Sequence, residues 1–150
     1  LNENQTKHIE DISESCYLIA KKNTKETIPI LEHYSKEYAL GLVSNFYGNL
    51  DEVLRDFQLK DYFDIIVESA KVGISKPDKR LLLYAFDKMG ISPYNSIVVG
   101  DSYKKDIITA KQIGCSTIWL KGKGWKDNPI ATPFADDIIT DIQQIRKIIK

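Results

Sequence analysis

The chain has little of what the commoner catalytic chemistries use: among 150 residues there are two histidines, two cysteines and one methionine. His8 and His33 each fall in a helical pattern among polar residues, and neither is assigned a catalytic role. Cys16 and Cys115 form no CxxC and stand near no histidine cluster, so both are expected to be small buried hydrophobes in a reducing compartment. No apolar run approaches the length of a membrane span and no apolar leader opens the chain, which points away from the membrane and to the cytoplasm. Charge of either sign in excess is also missing: 21 Lys plus Arg balance 21 Asp plus Glu. A nucleic-acid or membrane-surface binder needs a basic footprint, so those classes are excluded and a small molecule or a protein is the expected partner. What is present, 43% hydrophobic and 28% charged residues, suits one domain with a sizeable core.

Ile9, Ile12, Cys16, Ile19 and Ala20 recur at helical spacing, and Ile28, Leu31, Tyr34 and Tyr38 do so again after the polar stretch Lys21 to Lys25. Two helices are therefore expected at the start, with Pro29 in the first turn of the second. Ala39 to Val43 is a continuous apolar run that stops at Ser44-Asn45, as a buried parallel strand would. Asn49 followed by Glu52 reads as a capping box for the next helix. Further short runs at Ile65 to Val67, Ser96 to Val99, Thr117 to Leu120 and Asp137 to Ile139 alternate with helical patterns. One of these opens at Pro77, another spans Tyr103 to Ile113 and closes on Gly114, and Ile142, Ile145 and Ile149 mark the last. This alternation predicts a parallel sheet covered by helices on both faces. The one long connection, Lys121 to Pro133 with Trp125, reads either as the border of a site or as an exposed crossover.

Ligands of open parallel sheets bind beyond the carboxyl ends of the strands. The apolar run at Val98-Val99 ends in Gly100-Asp101, with Asp106 five residues on, so two carboxylates can converge on a divalent cation that in turn binds phosphate. The same residues also serve as helix caps and first-turn acids, Asp101 or Ser102 in the first role and Asp106 in the second. Ser44 and Asn45 offer a hydroxyl and backbone N–H groups to phosphoryl oxygens, or else a turn. Lys76 precedes Pro77, which keeps it out of helical geometry, and its ammonium suits either a point contact with phosphate or plain solvation.

Taken in order, Ser-Asn after a strand, Lys-Pro before a helix, and Gly-Asp with a second Asp five residues later resemble the second, third and fourth motifs of the haloacid dehalogenase (HAD) superfamily. The match runs from about Ile28 to Asp141 and includes Asp106 to Gly114. The resemblance implies an α/β, Rossmann-like (HAD-type) parallel sheet flanked by helices, with the remnant of a helical cap at the N-terminus: residues 1–25 the end of the cap, 26–150 the core. It also implies Mg2+-dependent hydrolysis of a small phosphorylated substrate through an aspartyl-phosphate. Ser44 and the backbone at Asn45 would hold the phosphoryl group, and Lys76 would hold the nucleophile and phosphate charges. Asp101 would ligate Mg2+, with Asp106 ligating it, acting through a water, or orienting Lys76. This division suits phosphoryl transfer, which depends on positioning and charge neutralisation.

The family's first motif, Asp-x-Asp at the end of a central strand, occurs nowhere in the chain; Asp61-Tyr62-Phe63-Asp64 has the wrong spacing and Asp136-Asp137 precedes a late strand. That strand belongs between Ala39–Val43 and Ile97–Val99, and its loss leaves a slot with unpaired backbone and apolar faces. The expectation is therefore a core lacking its first strand, inactive alone, completed by a missing N-terminal segment or a second polypeptide that supplies the Asp-x-Asp strand. Direct pairing of the two flanking strands would contradict this. The alternatives are a catalytically inactive phosphate/metal-binding or interaction module, a 2-haloacid dehalogenase or phosphomutase branch, and a flavodoxin-like or receiver-like domain whose acidic pair is coincidental.

Overall fold

In the computed structural model, which describes residues 3–122 and 134–150, the expected strands are all present within a residue or two of their apolar runs. They are β1 Gly41–Ser44, β2 Ile65–Glu68, β3 Ile97–Gly100, β4 Ser116–Leu120 and β5 Asp137–Ile139. All pair in parallel. β1 lies beside β2, with Gly41 opposite Ile65 and Ser44 opposite Glu68. β3 lies beside β4, with Ile97 opposite Ser116 and Gly100 opposite Trp119, and β4 beside β5. The sheet is nevertheless in two pieces, β1-β2 and β3-β4-β5, and β1 does not pair with β3.

The helices are α1 Glu3–Tyr34, α2 Leu50–Asp56, the single turn α3 Ser69–Val72, α4 Lys79–Met89 and the short α5 Thr109–Lys111. A π-helical stretch, Tyr103–Ile108, runs directly into α5. Two opening helices were expected and one is found, with Pro29 inside it and the polar stretch Lys21 to Lys25 still helical. The hydroxyls of Thr24 and Thr27 bond back to the carbonyls of Ala20 and Asn23, so the stretch is a solvated helical face containing no glycine to break it. Pro29 brings no N–H to the helical ladder. Nearby, the carbonyls of Glu26 and Pro29 accept side-chain donors from Gln143 and Arg146. The expected boundary between residues 25 and 26 consequently falls within α1. Asn49 caps α2 without a side-chain hydrogen bond, and Glu52 faces Arg55, so the capping box is not formed. α4 starts two residues after Pro77 because Asp78 is its cap, accepting the Arg80 N–H at 2.9 Å. The last helical pattern is a 3-10 turn, Ile142–Lys147.

The buried clusters follow the two half-sheets. Val67, Leu81 and Ala85 join α4 to β2, while Leu82, Ala110 and Cys115 join it to the segment before β4. Ile30 and Tyr34 of α1 pack on Ile118, Ile139 and Ile145. Each fully buried aliphatic side chain contributes about 1.5–3 kcal/mol relative to exposure. The Tyr34 and Tyr38 hydroxyls donate to the carbonyls of Ile149 and Lys150, tying the carboxyl end to α1. The first half of α1 is different: Ile9, Ile12, Leu18 and Ile19 are all exposed. Among the described residues no helix is long and apolar enough to cross a membrane.

The two cysteines part company. Cys115 is buried as expected, but Cys16 is exposed on α1. Burial pushes the Cys115 thiol up to about 11. Since the thiolate is the nucleophile, maleimide treatment of the native chain at pH 7 should give one adduct, on Cys16, by mass spectrometry, and a second only after denaturation.

Between the two half-sheets lies a cleft of about 760 Å3. Its side walls are Gly41, Leu42 and Val43 of β1 and Ile97, Val98 and Val99 of β3. Leu82, Ala85, Phe86 and Met89 of α4 also line it, as do Ile30 and Tyr34 of α1 with Ile142, Ile145 and Ile149 of the carboxyl end. Ile97 and Val99 are 44% and 37% exposed there, unusually open for aliphatic residues of a strand flanked by helices. At the carboxyl end of β1 and β3 the cleft reaches Lys76, Asp101 and Asp106.

Candidate functional site

The residues singled out in the sequence meet where the cleft opens. Ser44 ends β1; Gly100 ends β3, and Asp101 follows it. Lys76 comes from the loop between α3 and α4 and spans the cleft: its Nζ donates to the Val43 carbonyl at 3.0 Å and pairs with Asp106 Oδ1 at 2.7 Å. The Lys76–Pro77 peptide is cis.

Asp106 is 5% exposed, and both oxygens are engaged. Oδ1 meets Lys76, and Oδ2 accepts the Ser102 N–H at 3.0 Å. The π-helical turn places it there, with the Asp106 N–H returning to the Ser102 carbonyl at 2.8 Å. Ser102 is also the cap of this turn, accepting the Lys105 N–H. A buried carboxylate requires such partners, because an unpaired ion out of water costs several kcal/mol. Asp101 is exposed, and neither its carboxylate nor the Ser44 hydroxyl takes a hydrogen bond or ion pair among the described residues.

Gly100 lets Asp106 approach. A Cβ at position 100 would run into the Asp106 Cβ and stand 2.7 Å from its Cγ, a clash that has to move a carboxylate held at both oxygens. Gly100→Ala is therefore expected to cost about 1–3 kcal/mol in chemical denaturation. Gly41→Ala, whose nearest neighbour is the flexible Met89 side chain at 3.0 Å, should cost less.

Three supports of the site were not read from the sequence. The Trp119 indole N–H donates to the Asp101 carbonyl at 3.0 Å, with Tyr103 packed 5.0 Å from its ring. The β3-β4 register, which puts Trp119 opposite Gly100, is the signal that finds it. Glu68, 2% exposed at the end of β2, accepts the Gly48 N–H in the loop after Ser44, and Ser69 exchanges hydrogen bonds with Phe46 in the same loop. A glutamate ending an apolar strand is visible in sequence, but its target is not. Third, the Asn45 side chain bonds to Lys76 rather than standing free. Nearby, Asp51 bridges Lys60 and Lys71 at 2.9 and 2.7 Å, and the Lys71 and Lys60 ammonium groups hold its carboxyl at about 2. The Trp125 loop lies outside the described residues.

The donor set suits a hard cation in part. Mg2+ commonly takes one or two protein carboxylates and completes its shell with water and substrate phosphate. Among the described residues the Asp101 carboxylate has no partner, and Asp106 Oδ2 retains acceptor capacity beside Ser102. The described residues hold no cluster of three or more His, Cys, Asp or Glu that could bind a metal by itself. Any cation here therefore draws the rest of its shell from elsewhere.

Parallel half-sheets under helices, with a lysine-carboxylate pair beyond the strand ends where ligands of open α/β sheets bind, define the class of fold. The chain belongs to the haloacid dehalogenase-like hydrolases, whose family model matches residues 2–120. It is 30% identical over 132 residues to a glyceraldehyde 3-phosphate phosphatase of Methanothermobacter thermautotrophicus, covering 85% of this chain and 57% of that protein. It is 37% identical over 84 residues to a pyrimidine 5'-nucleotidase of Escherichia coli, covering 54% and 37%. Among solved structures, a HAD phosphatase from Thermococcus onnurineus superimposes with a TM-score of 0.72 at 31% identity, over 81% of this chain and 55% of that one. The chain thus spans about half the length of the relatives it matches.

Proposed function

We propose that the protein to which this chain belongs is a Mg2+-dependent phosphate-monoester hydrolase, and that these residues form the part of its site that holds phosphate and metal. The observation that carries the reading is Lys76 spanning the cleft to Asp106, beside a Ser44 hydroxyl and an Asp101 carboxylate that take no partner among the described residues. The phosphatase relatives support the substrate class.

Ser44 donates its hydroxyl to a phosphoryl oxygen, with N–H groups of the following turn beside it. Lys76 neutralises charge shared between phosphate and an attacking carboxylate. Asp106 keeps the ammonium aimed, which leaves Asp101 as the principal side chain to hold Mg2+. When bound, the cation supplies Lewis-acid stabilisation of the phosphoryl oxygens. Developing charge dominates the barrier of phosphoryl transfer, so fixed charges of this kind are what accelerate it.

The attacking carboxylate comes from the strand that fits the cleft. Gly41 to Val43 and Ile97 to Val99 present facing edges, and apolar side chains of α1 and α4 cover the space between them. A strand inserted there is parallel, apolar on both faces, and ends beside Lys76. An aspartate at its end is the proposed nucleophile: its carboxylate bonds to phosphorus as the P–O bond to the alcohol breaks, the alcohol leaves with a proton, and water then hydrolyses the aspartyl-phosphate to the free carboxylate and inorganic phosphate. The exposed half of α1, residues up to about 25, is read as the end of a cap over that mouth. In the complete protein, hydrolysis of a generic phosphomonoester should require Mg2+ and fall on the order of a hundredfold with Asp101→Asn, with a raised Mg2+ requirement. Turnover undiminished by chelation and by that substitution would refute the metal assignment.

A further inference from the structure

Asn45 stands where a phosphate contact is expected, next to Ser44, yet its side chain is committed elsewhere. Its Nδ2 donates to the Lys76 carbonyl at 3.0 Å, and its Oδ1 accepts the Lys76 N–H at 2.8 Å. A primary amide carries a donor and an acceptor on one plane, so it can satisfy both backbone groups of a single residue at once. Aspartate offers two acceptors and alanine offers neither. The contact joins segments 31 residues apart, and a second grip on Lys76 comes from the same stretch of chain, since Val43 accepts from the ammonium, which also pairs with Asp106. Val43 to Asn45 therefore holds Lys76 at its backbone and at its tip, with Ser44 between the two grips.

We infer that Asn45 is a positioning residue: its amide locks the backbone of Lys76 to the Ser44 turn, so that ammonium and hydroxyl keep one spacing, and it makes no side-chain contact with substrate. This rests on the phosphate site proposed above. A long lysine stem delivers its charge accurately only if its root is fixed, and small misplacements in a reacting site cost large factors in rate. Asn45 is exposed, so the pair competes with water, and the expected effect lies well below that of losing the lysine itself.

The test uses the complete gene product carrying these residues, with Asn45→Ala, Asn45→Asp and Lys76→Ala alone and combined. Asn45→Ala is expected to lower kcat about 10- to 100-fold with KM changed less than about threefold. In the Lys76→Ala background the same substitution should add less than about twofold, because the residue acts through the lysine. Asn45→Asp sets a carboxylate oxygen against the Lys76 carbonyl. Protonation restores a donor there, so its activity relative to wild type should rise as pH falls from 8 toward 5. A raised KM and weaker inhibition by inorganic phosphate in both backgrounds would make Asn45 a direct phosphate contact and overturn the inference. Equal, pH-independent defects in the two Asn45 variants would reduce it to general packing and overturn it too. If the complete protein hydrolyses no phosphomonoester, the functional reading fails separately. Amide hydrogen exchange then decides: the Lys76 N–H should exchange at least about tenfold faster in Asn45→Ala than in wild type or Ser44→Ala, and unchanged protection overturns the inference.

Discussion

Replacing Lys76 by methionine in the complete protein is expected to lower phosphatase turnover on the order of 1,000-fold, the largest effect of any single change in the described site. The comparison is with charge-stabilising groups in phosphoryl transfer, whose removal costs factors of about 1,000 or more. The same substitution strands Asp106, 5% exposed, with the Ser102 N–H as its remaining partner. Breaking a buried pair in this way destabilises by about 3 kcal/mol, so lost activity alone would confuse misfolding with chemistry. The double variant Lys76→Met with Asp106→Asn separates them. Asparagine has no charge to strand, so the chemical-denaturation midpoint should return most of the way while turnover stays low. Restored turnover in the double variant would show that Lys76 serves only to neutralise Asp106, and the proposed phosphate role would fail. Lys76→Arg should not rescue, because a planar guanidinium cannot occupy the point position between the Val43 carbonyl and Asp106.

The second large effect concerns the cleft. A peptide of about six residues with an apolar run and free N–H groups should bind the chain and raise its thermal midpoint. At a peptide concentration a hundredfold above Kd, the linkage amounts to about 2.7 kcal/mol, or roughly 5–10 °C for a domain of this size. The physical source is the pair of facing edges of β1 and β3, together with Ile97 and Val99, which lose their exposure when a strand arrives. Residues rise about 3.3 Å each along a strand, so four or five suffice to span the facing edges. The same peptide with proline at its centre lacks a ladder N–H and should bind far less tightly. Amide exchange gives the decisive readout: Gly41 to Ser44 and Ile97 to Gly100 should gain protection together. Protection of both edges already complete without peptide, as if β1 and β3 paired directly, would sink the strand-slot reading.

How much of this was legible in the sequence varied with the range of the interaction. Strands were found to within a residue or two, because buried parallel strands are written as short apolar runs such as Ile97 to Val99. The helix junction was misplaced at Lys21 to Lys25, where a long solvated helix and an interhelical loop have similar composition and only tertiary support decides. The Asn49–Glu52 box failed for a related reason: a cap motif is a local option, and Glu52 found Arg55 instead. Of the site, the residue types and their order were visible through the family resemblance, while partners were not. Nothing local tells that Asn45 faces the backbone of Lys76, or that Trp119 reaches the Asp101 carbonyl, since both depend on which loops the half-sheets bring side by side. Cys16, read as buried from its place in an apolar stripe, is exposed because that stripe of α1 has no described neighbour to pack against.

The Trp119 contact also gives the molecule an optical handle. An indole whose N–H is bound to the carbonyl of Asp101, and whose ring touches Tyr103, emits at a wavelength and with a quantum yield set by that turn. Trp125 is the chain's other tryptophan, so a Trp125→Phe variant, excited beyond the tyrosine band, leaves a single emitting indole seated against the acidic end of β3. Its fluorescence then follows cation titration, strand insertion or unfolding in real time, without a dye and without turnover.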